Sequence, residues 1–305
     1  MRVTAPGKVL WAGEYAILDG HPAIISAVDR RVVATLADGP GELSPFLEAV
    51  RDELGETVSR VRVDSSALAS DDGGRKLGLG SSAASVVAAT AAVLGTRDLA
   101  RVHAVAHRAH ARAQAPRGSR GSGADVAASV YGGLLRVMRP DDESPLRVER
   151  IASAPPPTCL LWTGVPADTP SLVAHVRTLR ARAPDVHAAC MADLGSVAER
   201  LGSALAEDRP AAVVAAIADG AAALAALAER SGAPLVPECF AQVQALAGRY
   251  GGAAKPTGAG GGDLLLCVFT SSEARDAFRT AAECRGMIPV SANVEHQGVL
   301  AEPDG

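Results

Sequence analysis

Aromatic residues are scarce: Trp, Tyr and Phe together make up 3% of the 305 residues. Hydrophobic residues still reach 48%, with Ala and Val dominant, so a sizeable core is expected from small side chains on closely packed helices. Cysteine is present but unorganised. Cys159, Cys190, Cys239, Cys267 and Cys284 are odd in number and form no Cys-x-x-Cys pair, which argues against a disulfide framework or a structural zinc site and for buried thiols in a reducing compartment. The histidines lack metal-ligand grouping. His103, His107 and His110 recur at helical spacing, but Arg108 and Arg112 flank them, which favours a polar helix face. An excess of positive charge is also missing. The net charge of −4 and pI of about 6.0 argue against a general nucleic-acid binder, so an anionic ligand must be held by a local basic cluster. Long unbroken apolar runs are absent as well. The stretch 210–227 contains Asp219 and Gly220 and reads as an Ala-rich helix, not a membrane span. Lys8 and Glu14 interrupt the N-terminal apolar stretch, so no signal peptide is read there and a cytoplasmic setting is expected.

What the chain has is glycine in purposeful places. Residues 76–87 read Lys-Leu-Gly-Leu-Gly-Ser-Ser-Ala-Ala-Ser-Val-Val. Gly78 and Gly80 allow a tight turn and close approach to a ligand. A helix from Ser81 leaves its first N–H groups unpaired, and its dipole favours an anion there. Ser81 and Ser82 can cap that helix, or offer hydroxyls to phosphate or metal. The spacing is neither the Walker pattern nor the dinucleotide fingerprint. Alone, the segment reads equally as an ordinary loop with an N-cap.

The periodicity predicts strands over 9–12, 23–28 and 31–37, and helices over 45–54, 81–94 and 96–114, the last capped by Thr96 or Asp98. A basic loop over 115–123, a short helix over 125–131 and a strand over 133–139 follow. The Pro- and charge-rich segment 140–157 is the clearest composition break. It suggests two domains, 1–157 and 158–305. Beyond it come a strand over 158–162, helices over 170–183, 185–206, 210–230 and 235–248, a Gly-rich loop over 251–263, a strand over 264–269, a helix over 272–283 and a strand over 287–293. Strands and helices mix in both halves, so the fold class is α+β.

Three further segments carry chemistry. Ala5-Pro-Gly-Lys8 leads through an apolar strand into Gly13-Glu14-Tyr15. A lysine there resists dismissal as a surface residue, because an unpaired buried ammonium is costly. Gly121-Ser122-Gly123-Ala124-Asp125 sets a carboxylate at a helix start beside Arg117 and Arg120. Lys255-Pro-Thr-Gly258-Ala259-Gly260-Gly261-Gly262-Asp263 concentrates glycine at a cost in chain entropy, which points to close backbone approach.

In this order, the Pro-Gly-Lys…Gly-Glu-Tyr, Gly-Leu-Gly-Ser-Ser-Ala-Ala and Lys-Pro-Thr-Gly-Ala-Gly-Gly-Gly segments resemble the three signature motifs of the galactokinase–homoserine kinase–mevalonate kinase–phosphomevalonate kinase (GHMP) superfamily. The resemblance spans positions 5–269. Within it, the segments around Asp125 and Trp162, with Asp263 closing the last loop, are similar to the phosphomevalonate kinase branch. Gln114 stands eleven residues before Asp125, where mevalonate kinases carry a metal-binding Glu. The resemblance implies an N-terminal α/β nucleotide-binding domain and a C-terminal ferredoxin-like α+β domain. It implies ATP-dependent phosphoryl transfer to 5-phosphomevalonate, giving 5-diphosphomevalonate and ADP in isoprenoid biosynthesis, with a mevalonate kinase or a related small-molecule kinase as the alternative. ATP is then a co-substrate and Mg²⁺ a cofactor, with no nucleic-acid or membrane partner and a monomeric or homodimeric state.

The implied site places Lys8 and Asp125 in catalysis, Gly78, Leu79, Gly80, Ser81, Ser82 and Ala83 on ATP, and Ser81, Ser82 and Gln114 near the metal. Glu14, Tyr15, Arg120, Ser122, Gly258, Ala259 and Gly260 fall to the acceptor. Two unit charges ~4 Å apart repel by about 4 kcal/mol at an effective dielectric near 20. Cations must offset that between two phosphates, and Lys8 and Arg120 are the first candidates, ahead of Arg75, Lys76 and Arg117. Asp125 is expected to hold Lys8 and orient the acceptor, since a phosphate acceptor needs no strong base.

Overall fold

The computed structural model describes residues 2–70, 74–117, 121–141 and 144–302. The chain forms two compact units, and it passes between them more than once. The first takes the chain up to Val9, then Ile25–Leu135, then from Val294 on; the second takes Leu10–Ile24 and Arg136–Asn293. A division at 157 follows composition. The compact units follow the strands instead, because single strands run on from one unit into the other.

The first unit holds most of β1 (Arg2–Ala12), most of β2 (Pro22–Leu36), α1 (Pro45–Leu54), β3 (Val61–Asp64), α2 (Ser81–Leu94), α3 (Leu99–Gln114), α4 (Ala124–Tyr131) and the start of β4 (Leu134–Met138). The second holds β5 (Arg147–Ile151), β6 (Thr158–Trp162), α5 (Thr169–Arg182), α6 (Pro184–Ala206), α7 (Pro210–Ser231), α8 (Phe240–Arg249), β7 (Ala253–Pro256), β8 (Leu264–Val268), α9 (Ser272–Glu283) and β9 (Ile288–Val290). The last strand, β10 (Leu300–Glu302), returns to the first unit. The larger sheet has strand order β10-β1-β2-β4-β5, with β3 beside β2. β10 lies antiparallel to the start of β1, pairing Arg2 with Glu302 and Thr4 with Leu300.

The two strands read at 23–28 and 31–37 are one. Asp29, Arg30 and Arg31 look like a break, yet the backbone stays extended because both arginines find carbonyls: Arg30 donates to Ala67 and Ala69, Arg31 to Thr4 and Gly298. α1 is bounded by local signals. Ser44 accepts from the Leu47 N–H, Pro45 opens the helix and Gly55 ends it. Asp98 is the N-cap of α3, accepting from Arg101 N. α2 is buried from Ala83 to Ala84 and from Val86 to Ala92, so its near-continuous apolar sequence reflects contact with α1, α3 and α4.

In the second unit the smaller sheet is antiparallel with order β7-β8-β6-β9. Numbered along the chain that is 2-3-1-4, the ferredoxin-like order, with three helices (α6, α7 and α8) beyond α5 before the second strand. The fold class is thus the α+β arrangement expected, with antiparallel sheets. The glycine-rich sequence over 251–263 suggests a loop, but Ala253–Pro256 form β7, which follows Gly251 and Gly252 and ends on a proline; all four of its residues are buried. β5 was read as linker because its residues are largely exposed. α7 is long and apolar enough to cross a membrane by length and composition alone. In the fold it buries Val213, Ile217, Gly220, Leu224 and Leu227 and packs on α6 and β7.

Candidate active site

The glycine loop of the first unit forms a helix start with no side-chain cap. α1, α3, α5 and α9 are each capped by a Ser or Asp side chain. α2 instead begins at Gly80, with φ 79° and no side-chain hydrogen bond, so Ser81 and Ser82 stand inside the helix and do not cap it. Only glycine suits position 80. Its φ is left-handed, and a Cβ there would lie 2.8 Å from Cγ of Lys8. The first N–H groups of α2 therefore meet the loop with the positive end of the helix dipole and no competing acidic side chain in the first turn.

Lys8 is positioned by that loop. Its backbone N–H donates to the Leu79 carbonyl at 2.8 Å, and its ammonium donates to the Gly78 carbonyl at 3.0 Å. α4 also starts at a left-handed glycine, Gly123 with φ 81°, but side chains meet its first N–H groups. Ser122 Oγ accepts from Ala124 N at 3.3 Å. Asp125 Oδ1 accepts from Val126 N at 2.9 Å, and Oδ2 lies 3.9 Å from Nε2 of His110. Asp125 thus faces the His110 ring.

His110 is the residue sequence reasoning misplaced. It is not on a polar face: it is buried at 2% exposure and stacked on Phe46. Its ring lies 3.4 Å from Ser82 Oγ and 3.2 Å from the Gln114 amide nitrogen. The exposed side of α3 is carried by Arg108 and Arg112, which pair with Asp52 and Glu53 of α1. The signal for His110 was its i, i+4 spacing to Gln114, legible only once Gln114 is taken as part of the site.

Fit to Mg²⁺ can be judged from the donors. Among the described residues no three His, Cys, Asp or Glu side chains group to hold a metal. The Ser82 hydroxyl, the Gln114 side-chain oxygen turned toward Gly121, and the Asp125 carboxylate are hard oxygen donors in one region. Such a set suits a Mg²⁺ carried mainly by phosphate oxygens, not an all-protein cage.

In the second unit, Glu14 and Tyr15 are committed to the late glycine loop. Lys255, fully buried on β7, pairs with the Glu14 carboxylate, itself 2% exposed, and also donates to the Pro256 carbonyl at 2.7 Å. Tyr15 holds φ 61° and donates its hydroxyl to the Ala259 carbonyl at 2.6 Å. Burial, reinforced by the neighbouring Glu14 charge, pushes that phenol well above its ordinary pKa, so it stays a donor. Thr257 donates to the Leu10 carbonyl at 2.7 Å. Gly260 has φ 75°, and a Cβ would lie 2.4 Å from the Leu235 carbonyl. Asp263 closes the loop on the Trp162 segment: its backbone bonds Thr163 and Val165, and its Oδ1 accepts from Ala167 N. Lys255 stands in the late glycine motif, where nothing local assigns it a role. Its partner is 241 residues away in sequence, beyond any local signal. Arg120 lies outside the described residues.

Residues 44–133 match the family described as GHMP kinases N terminal domain. A phosphomevalonate kinase of Streptomyces sp. (strain CL190) is 29% identical, with 97% of each chain covered. Among solved structures, the Lin0012 protein of Listeria innocua superposes with a TM-score of 0.88 at 21% identity, covering 99% of this chain and 100% of that one. The Streptococcus pneumoniae phosphomevalonate kinase in complex with phosphomevalonate and AMPPNP follows at 0.79 and 16% identity, covering 96% and 99%.

Proposed function

We propose that this chain is a kinase of the GHMP superfamily, whose N-terminal domain its residues 44–133 match, and that it transfers the γ-phosphoryl group of ATP to 5-phosphomevalonate in the cytoplasm, releasing ADP and 5-diphosphomevalonate. The observation that carries the reading is the uncapped start of α2 behind two left-handed glycines, with the Lys8 ammonium fixed on the Gly78 carbonyl. The Streptomyces relative supports the choice of acceptor. In the reaction an oxygen of the acceptor phosphate attacks the γ-phosphorus, and the bond from that phosphorus to the ADP oxygen breaks. Backbone N–H groups over Gly78–Ala83 hold the donor phosphates, and Lys8 offsets the charge gathered on the transferring group. Ser82, with Ser81 and the Gln114 oxygen, would hold a Mg²⁺, which would supply charge neutralisation on the phosphate oxygens.

The acceptor phosphate has a second pKa near 6, so it arrives mostly dianionic and no side chain has to take a proton. Asp125 accordingly orients the site and does not serve as a base. Arg120 and Ser122 take the acceptor phosphate. Glu14 and Tyr15 serve the acceptor by fixing the Gly258–Gly260 loop. A coupled ADP-release assay tests the reading, with phosphomevalonate, mevalonate and no acceptor as its arms. ADP release that depends on phosphomevalonate is the expected result. Equal or greater release with mevalonate sinks the choice of acceptor, and release with neither sinks the activity.

A further inference from the structure

His110 takes no part in the roles assigned so far, yet three of them meet at its ring. Nε2 of this buried histidine on α3 lies 3.4 Å from Ser82 Oγ on α2, 3.2 Å from the Gln114 amide nitrogen one turn along α3, and 3.9 Å from Asp125 Oδ2 on α4. The ring is held in place. Phe46 stacks on it with centroids 5.3 Å apart and planes 26° from parallel, and at 2% exposure it has no room to swing out. An imidazole nitrogen either donates or accepts, and a serine hydroxyl rotates to suit its partner.

From this we infer that His110 is a positioning residue of the kinase site, an inference that rests on the reading above. With Nε2 accepting the Ser82 proton, the Ser82 lone pairs are left facing away from the ring, where a cation or phosphate is met. The Gln114 amide nitrogen packs against the same ring, 3.2 Å from Nε2 and 3.4 Å from Nδ1, and its side-chain oxygen is turned the other way, toward Gly121. Asp125 Oδ2 borders the ring at 3.9 Å, beyond hydrogen-bond reach. One side chain thus sets the direction of the Ser82 hydroxyl on α2 and packs against Gln114 on its own helix. A hydroxyl a fraction of an ångström or a few tens of degrees out of place loses much of its value in phosphoryl transfer.

The test is a double-mutant cycle between His110→Phe and Ser82→Ala. Phenylalanine keeps a ring against Phe46 and removes both nitrogens. The expected result is a kcat loss of about tenfold or more for His110→Phe, with the acceptor KM within about twofold and the melting temperature near that of the parent. In the Ser82→Ala background the same substitution should cost at least about threefold less in kcat, since the proton to be held is gone and only the packing on Gln114 remains. An equal loss in both backgrounds, or a kcat within about twofold of the parent, overturns the inference. Should His110→Phe not fold, His110→Leu, which also lacks any hydrogen-bonding atom, enters the same cycle with the same criterion. Calorimetric affinity for Mg²⁺ with AMPPNP, measured without acceptor, separates the two readings. A parent that binds AMPPNP but releases no ADP with phosphomevalonate sinks the acceptor assignment alone. The cycle is then read on AMPPNP affinity, where His110→Phe should weaken binding by about fivefold in the parent and by clearly less in Ser82→Ala. No coupling there overturns the role of His110.

Discussion

Lys8 leaves β1 with its aliphatic stem against Gly80 and its ammonium on the Gly78 carbonyl, so its charge is fixed at the start of α2. Replacing it by methionine keeps the stem and deletes the charge. Lys8→Met should lower kcat by about two orders of magnitude or more with circular dichroism unchanged; a loss below about tenfold, roughly 1.4 kcal/mol, removes Lys8 from the chemistry. Asp125→Asn should cost far less than Lys8→Met in the same assay. The cysteines make a second prediction at this scale. Cys159 and Cys267 face each other across β6 and β8. Burial pushes the Cys159 thiol up to about 11, and Cys267 is pushed well above its ordinary value by burial and by Cys159. Both should stay unlabelled by a thiol reagent at pH 8 until the protein is unfolded, while the exposed Cys284 reacts at once. Fast labelling of Cys267 in the native protein contradicts the placement of β8. Lys8, Gly80 and Asp125 were legible in the sequence because glycine punctuation and an N-terminal acid are local signals. His110 was not, because burial is decided by α1, α2 and α4, which the spacing along α3 cannot report.

Among the elements, those bounded by local chemistry matched their sequence signals closely. α1 and α2 carry caps or glycines at their ends, and they begin and end where the pattern put them. β7 and β10 did not announce themselves, since three- and four-residue strands are held by their neighbours and not by periodicity. β7 also carries the buried Lys255–Glu14 pair, which ties the turn after β1 to the glycine loop. Removing one partner strands the other in a buried setting, so Lys255→Met should lower unfolding stability by about 3–5 kcal/mol. Pairing it with Glu14→Gln should restore much of that loss, as chemical denaturation of the single and double variants would measure. Additive losses would mean that the two side chains are not coupled in solution.

At the scale of the whole molecule, the first unit is built from three separate stretches of chain. Its C-terminal stretch is tied in closely. Glu295 exchanges backbone hydrogen bonds with Ala27 and Gly133, Arg31 reaches the Gly298 carbonyl, and β10 borders β1. A chain ending at Asn293 should therefore lose AMPPNP binding and become sensitive to limited proteolysis within residues 25–135, even though it keeps every residue of the phosphate loop. Binding within about twofold of the full chain would show that the third stretch is dispensable. The composition break at 140–157 gave no hint of this, because sequence composition reports linkers and not which distant strands a sheet needs. The arrangement also orders events at the ribosome. The glycine loop and α2 emerge early, all of residues 136–293 follow, and only then does the stretch that closes the first sheet appear. A nascent chain therefore displays its glycine loop long before the sheet behind that loop is finished, and the folded support waits on residues 294–302, not on the motif itself.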